Sequence, residues 1–263
     1  MTHPSLGPDP DGASGESRGV SDLIGFVLIF SLIVAVVGIV SLAGLTSLEG
    51  ARDAQQTNNA ERAMEVLSDN MADLTDRGAP SRATEVSLSD ASMYMGDEMT
   101  VTVNDTQETL LPGRVFKLSP IVYEDNNAKL VYVNGAVFRV ERDGGVVLKS
   151  WDAVLDENRT MIPIINTVSA TDGPQAIKSD TVLVRANTYQ RLVPVSDESG
   201  IYDNVWVNVT STRSELWKRM LEAEEKFDCQ DEGPDSIACE LTLGSAPDRL
   251  YVVETRISVA LKP

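Results

Sequence analysis

The chain has 263 residues and carries 40 Asp and Glu against 22 Lys and Arg, a formal net charge of −18, with one histidine and two cysteines. Such acidity repels nucleic acid, and with only 7 Lys among the basic residues it is the balance expected of a protein kept soluble in concentrated salt, where self-repulsion is screened within a few Å, with an ordinary acidic extracellular domain as the alternative. Because the only imidazole is His3, Ser-His-Asp and Cys-His hydrolytic mechanisms are excluded.

Residues Met1 to Gly19 are rich in Pro, Gly, Ser and Asp and have no apolar periodicity, so no packed element is expected there. Leu23 to Leu45 then form 23 consecutive positions without a charge. As a helix such a stretch reaches about 35 Å, enough for a hydrocarbon core of about 30 Å. A secretory signal peptide has a shorter apolar core followed by small residues at its cleavage site. Ser41-Leu42-Ala43 supplies small residues at the far end, so an ordinary cleaved leader stands as an alternative.

Arg18-Gly19 followed by Val20-Ser21-Asp22-Leu23-Ile24-Gly25 resembles the class III leader junction of archaeal type IV pilins, especially the pilin-like surface proteins of halophiles. The resemblance implies cleavage between Gly19 and Val20 by a membrane-embedded prepilin peptidase, with the apolar segment kept on the mature chain. It also implies that Asp22 meets the new amino group of a neighbouring subunit during assembly. At about 4 Å and an effective dielectric of about 20 that pair gains about 4 kcal/mol before desolvation, enough to guide register but not to hold a filament. Asp22 at a helix start is also favourable with no partner at all. Gly25, Gly38, Ala43 and Gly44 offer small surfaces for neighbouring helices, or reflect the glycine tolerance of membrane helices.

Beyond Leu45 no Pro intervenes before Pro80, and one helix from about Ser21 to Arg77 is expected, ended by Gly78 and Pro80. Ala60, Met64, Leu67, Met71 and Leu74 draw one apolar seam, which predicts packing against the downstream domain, with lateral subunit contact as the alternative.

From Thr84 the pattern turns to short runs rich in Val, Ile, Thr and Tyr. Strands are expected at Met99–Val103, Ile121–Tyr123, Leu130–Val133, Ala136–Glu141, Val146–Leu148, Met161–Ile165, Thr181–Tyr189, Val205–Val209 and Leu250–Leu261. In the last of these Val253, Thr255, Ile257, Val259 and Leu261 share one face. Asn134-Gly135 is the strongest hairpin signal, and Asp143-Gly144-Gly145 reads as a turn. One helix interrupts the strands, with capping-box spacing at Thr212 and Glu215 and a stripe of Leu216, Met220, Ala223 and Phe227.

Cys229 and Cys239 enclose a polar stretch, and their closeness favours a disulfide worth roughly 3 kcal/mol, with free thiols as the alternative. Asn104, Asn158 and Asn208 head N-glycosylation sequons, all beyond the membrane segment. The acidic loop Ser196 to Asp203 lacks EF-hand spacing and reads as solvated, so no metal and no cofactor is expected.

The predicted fold is α+β: a leader at 1–19, a long helix at 20–78 with its transmembrane part at 23–45, and an extracellular β-rich, mainly antiparallel sheet or sandwich head with one additional helix at 79–263. Ile121-Val122-Tyr123 and Leu130 to Arg139 resemble the central hairpin of an uncharacterised haloarchaeal family with the same N-terminus. The resemblance implies a structural, non-enzymatic surface protein in the cell membrane or a filament, with the membrane, prepilin peptidase and other pilin-like subunits as partners. Two rival readings stay open: a single-pass anchored ectodomain that binds a ligand without polymerising, and an anchored hydrolase using carboxylates.

Overall fold

A computed structural model describes residues 16–105, 115–142, 144–171, 176–197, 204–243 and 247–263, with residues 16–22 described in backbone only. The chain divides into two compact units, Met1–Gln55 and Gln56–Pro263. Helix α1 is Glu16–Thr75, so it begins before the expected Ser21 and stops short of Arg77. No proline stands between Pro10 and Pro80, so nothing in the backbone confines the helix to residues after Ser21. At the other end Gly78 adopts a φ of 67°, and the Ala79 N–H donates to the Asp73 carbonyl at 3.1 Å.

Strands follow as β1 Ser81–Ser87, β2 Ser92–Met95, β3 Met99–Asp105, β4 Val115–Leu118, β5 Ile121–Glu124, β6 Lys129–Val133, β7 Ala136–Glu141, β8 Gly144–Lys149, β9 Thr160–Ser169, β10 Thr181–Asp197 and β11 Val205–Thr210. Helix α2 is Ser214–Glu222, and β12 Phe227–Gly233, β13 Ser236–Leu241 and β14 Leu250–Lys262 complete the chain. This is an α+β fold with a β-rich head. Among the described residues the strands form three sheets, ordered β1-β10-β14-β9, β12-β13-β11-β3-β4 and β2-β5-β6-β7-β8. Pairing is antiparallel except between β9 and β14.

The last sheet is covered on both faces. Val122, Val131 and Phe138 point into one core, whereas Ile121, Tyr132 and Val137 point into a second. That is why Leu130 to Phe138 reads as a nearly continuous apolar run rather than an alternating one. The Asn134-Gly135 turn forms as expected, with φ of 50° and 87°. Its Asn134 side chain accepts the Ile165 N–H at 2.7 Å, and its Gly135 carbonyl accepts the Ser68 hydroxyl at 2.9 Å.

The second core is closed by α1. Ala60, Met64, Leu67, Met71 and Leu74 are all buried there against Val86, Tyr132, Val184 and Ile257, so the seam packs on its own chain. The unit Gln56–Pro263 thus takes in the last part of α1. Side chains reinforce the packing, with Arg139 on Glu61 at 2.7 Å, Asn70 on Thr84 at 2.8 Å, and Arg191 donating to the Leu74 and Thr75 carbonyls.

The long strands serve both cores from opposite faces. In β14, Leu250 and Val252 enter the first core, while Ile257 and Val259 enter the second. The odd-numbered residues do share a face, but Val253 is only partly buried because the covered face changes at Glu254 and Thr255. Ile164 and Ile165 make the same change in the parallel neighbour β9.

Several expectations are corrected. Helix α2 is capped at Arg213 without a side-chain hydrogen bond, so Thr212 and Glu215 form no capping box; the Ser211 hydroxyl instead accepts the Arg213 N–H at 3.2 Å. Phe227 belongs to β12, not to the helix, because the chain turns at Glu225, where φ is 54°. Gly144 and Gly145 lie in β8, paired with Glu141 and Val140, and Asp143 lies outside the described residues. The stretch between the cysteines is a β12–β13 hairpin, whose exposed Asp228, Gln230 and Glu232 hide its strand character in the sequence. Strands β1, β2 and β4 are also additional, and β10 runs past Tyr189 to Asp197 through two register shifts.

Candidate functional site

The apolar part of α1 is the feature that packing among the described residues does not explain. Leu23, Phe26, Leu28, Phe30, Ile33, Ile39 and Leu42 are each more than half exposed, and Leu42 reaches 71%. Fully burying one such side chain is worth about 1.5 to 3 kcal/mol, so leaving the whole set in water is strongly unfavourable. The helix is long and apolar enough to cross a membrane. Phe26 and Phe30 stack one turn apart with ring centroids at 6.1 Å, and the Thr46 hydroxyl donates to the Leu42 carbonyl at 2.6 Å, which conceals its polarity.

Gly25, Gly38 and Gly44 have open space where a Cβ would stand, and Ala43 is exposed. Arg18, Gly19, Val20 and Asp22 lie on the first helical turns in backbone, and their side chains lie outside the described residues.

In the head, Cys229 and Cys239 are bonded across the β12–β13 hairpin with Cα atoms 4.0 Å apart. The bridge is buried in the first core beside Leu241 and Ile237. No cysteine is free.

The three sequons occupy different environments. Asn158 is in the loop before β9, where its Nδ2 donates to Asp156 Oδ1 at 2.9 Å, and the hydroxyl of Thr160, fully buried, donates to the Asp156 carbonyl. Asn104 and Asn208 instead sit on neighbouring central strands, β3 and β11, on the face turned away from the core. Sequence reasoning treated the three alike; the pairing that brings two of them together has no local signal.

It also missed a cluster at the β2–β5–β6 edge. The Tyr94 hydroxyl donates to Glu124 Oε2 at 2.7 Å, and Lys129 Nζ stands 2.9 Å from Glu124 Oε1. Burial, followed by the Glu124 hydrogen bond and charge, pushes the Tyr94 phenol up to about 12. The same hydrogen bond, with Lys129, holds Glu124 below its usual range. The depressed carboxyl contributes stability that is present above the unfolded value near 4.5 and lost as pH falls through the folded value. The raised phenol contributes stability that is present below 10 and lost as pH rises through about 12. Tyr94→Phe should therefore lower stability at neutral pH by roughly 1 kcal/mol and flatten its decline on both the acid and the alkaline side, as read by urea unfolding across pH.

An open cleft of about 400 Å³ adjoins this cluster, lined by Glu124, Asp125, Lys129, Glu141 and Arg142. Each carboxylate in it already has partners. Asp125 accepts the Asn127 and Ala128 N–H groups and the Thr57 hydroxyl, and Glu141 pairs with Arg139 at 2.6 Å. Glycoside hydrolysis needs one carboxyl held high as a general acid, and Glu124 is shifted the opposite way. Among the described residues no cluster of three His, Cys, Asp or Glu is placed to hold a metal ion; residues 198–203 of the acidic Ser196 to Asp203 loop lie outside them.

No curated protein and no solved structure matches the chain. Residues 18–260 match the model of a family of unknown function, DUF7289. The shared segment therefore starts at Arg18, takes in the apolar helix and extends almost to the end of β14, and the chain belongs to that family.

Proposed function

We propose that the chain is a type IV pilin-like cell-surface protein of a salt-adapted archaeon, cut between Gly19 and Val20 by a prepilin peptidase. The apolar helix is then retained as the handle that sits in the membrane or in a filament, and the β-rich head stands outside. Its work is structural, in filament assembly or surface adhesion, and neighbouring pilin-like subunits are its partners. The observation that carries this reading is the placement of Arg18-Gly19 just before the apolar stretch of α1, whose large side chains are exposed among the described residues. The family segment supports it by beginning at Arg18, and the acidic excess supports the salt-adapted setting.

Within this reading Asp22 pairs with the Val20 amino group of a neighbour, which is largely charged at neutral pH. Gly25, Gly38, Ala43 and Gly44 provide close helix approach, since packing rather than hydrophobic transfer drives association in lipid. The test is the mature N-terminus. Mass spectrometry of the protein from its native cells should find Val20 as the first residue, and Gly19→Val should leave residues 1–19 attached. A natural product that keeps residues 1–19 identifies a permanent anchor instead, and one cut near Ala43 identifies an ordinary leader.

A further inference from the structure

We propose that Asn208 carries an N-linked glycan whose first sugar lies on the indole of Trp206, covering the outer face of the β12-β13-β11-β3-β4 sheet. From the preceding reading this takes only that the head lies outside the membrane.

Strand alternation makes the site. Val205, Val207 and Val209 point into the core, so Trp206, Asn208 and Thr210 stand side by side on the opposite face. An acceptor asparagine, the hydroxyl two residues on and an aromatic ring two residues before are thus aligned without a loop. On β3, Asn104 pairs with Trp206 and Thr102 with Asn208, which gives the ring and the acceptor polar neighbours.

Asn208 Oδ1 is buried, and among the described residues it has no hydrogen-bond partner. Nδ2 is the atom that must react. Thr210 is exposed, with its hydroxyl 3.4 Å from Ser236 Oγ. At Asn158 both requirements fail, because Nδ2 and the Thr160 hydroxyl are each committed to Asp156. Trp206 is only partly buried on this outer face, where among the described residues its large apolar surface has no partner ring, unlike Trp217 and Trp151, which pack on Phe138 and Phe227.

The reaction joins Nδ2 to the anomeric carbon of the first sugar. The bond from that carbon to the phosphate oxygen of a lipid-linked oligosaccharide breaks, the phosphate leaves with the electron pair, and the amide gives up one proton. One face of the head is then covered by sugar.

Full-length protein from its native cells, digested and analysed by mass spectrometry, tests this. The peptide containing Asn208 should carry a sugar increment that Asn208→Gln and Thr210→Ala abolish and Thr210→Ser keeps. Trp151 and Trp217 are buried, so acrylamide quenching reports chiefly Trp206, and Asn208→Gln should raise it while near-ultraviolet circular dichroism stays native. An unmodified Asn208 on a chain beginning at Val20 overturns the glycan alone. A glycan on Asn208 of a chain that keeps residues 1–19 overturns the processing alone. A glycan whose loss leaves quenching unchanged overturns the role of Trp206.

Discussion

Met71→Asp should abolish the native head while leaving the apolar helix able to enter detergent or lipid. Met71 is fully buried in the second core, on the α1 face that also carries Leu67 and Leu74. Removing a side chain of this size from a core costs about 2 to 5 kcal/mol, and an unpaired carboxylate in its place costs several more. A unit of this kind has about 5 to 15 kcal/mol in total. The conservative Met71→Leu should cost under about 1.5 kcal/mol, which separates loss of volume from burial of charge. Protease resistance and near-ultraviolet circular dichroism of the full chain in micelles read the difference. A Met71→Asp protein that still unfolds cooperatively from a protease-resistant state would show that α1 is not part of the head's core.

Trp217→Ala should cost about 3 to 5 kcal/mol and loosen the first core around α2. Trp217 is 1% exposed and meets Phe138 edge to face with centroids 5.5 Å apart, so the helix is pinned to the β2-β5-β6-β7-β8 sheet through that ring. The approach is close elsewhere too. A Cβ on Gly145 would stand 2.7 Å from the Arg139 carbonyl and 2.9 Å from a Leu216 methyl, and the Arg219 guanidinium donates to the Gly145 carbonyl at 3.2 Å. Denaturant midpoints for Trp217→Ala and Trp217→Phe should separate the aromatic pair from the buried area. An Ala variant within about 1 kcal/mol of the parent would mean that α2 packs independently of that ring.

These two cores define the head, and each treats a different part of the sequence as its signal. The seam on α1 was readable because its spacing of three and four residues belongs to one helix and needs no partner to be seen. The Asn134-Gly135 hairpin was readable because the conformational requirement lies in the two turn residues themselves. Helix α2 was placed correctly by its apolar stripe but extended wrongly through Phe227, since that residue is apolar at helical spacing and only the turn at Glu225 removes it.

Where strands were missed, their outward residues were the cause. In β12 the exposed Asp228, Gln230 and Glu232 outweigh Phe227 and Cys229, so a half-buried strand looks like a charged loop. The cluster of Tyr94, Glu124 and Lys129 joins β2 to the β5–β6 hairpin, and no spacing along the chain announces it.

By itself, then, the sequence determined the apolar helix, the helical seam and most of the strands, because each depends on the order of neighbouring residues within one element. Only the tertiary structure decided that β9 and β14 pair in parallel, that long strands exchange one core for the other between adjacent residues, and that Asn104 and Asn208 share a face. Those outcomes depend on which distant strands meet and in what register. Pairing energy is spread over many backbone hydrogen bonds and packed side chains, so no short segment carries it alone.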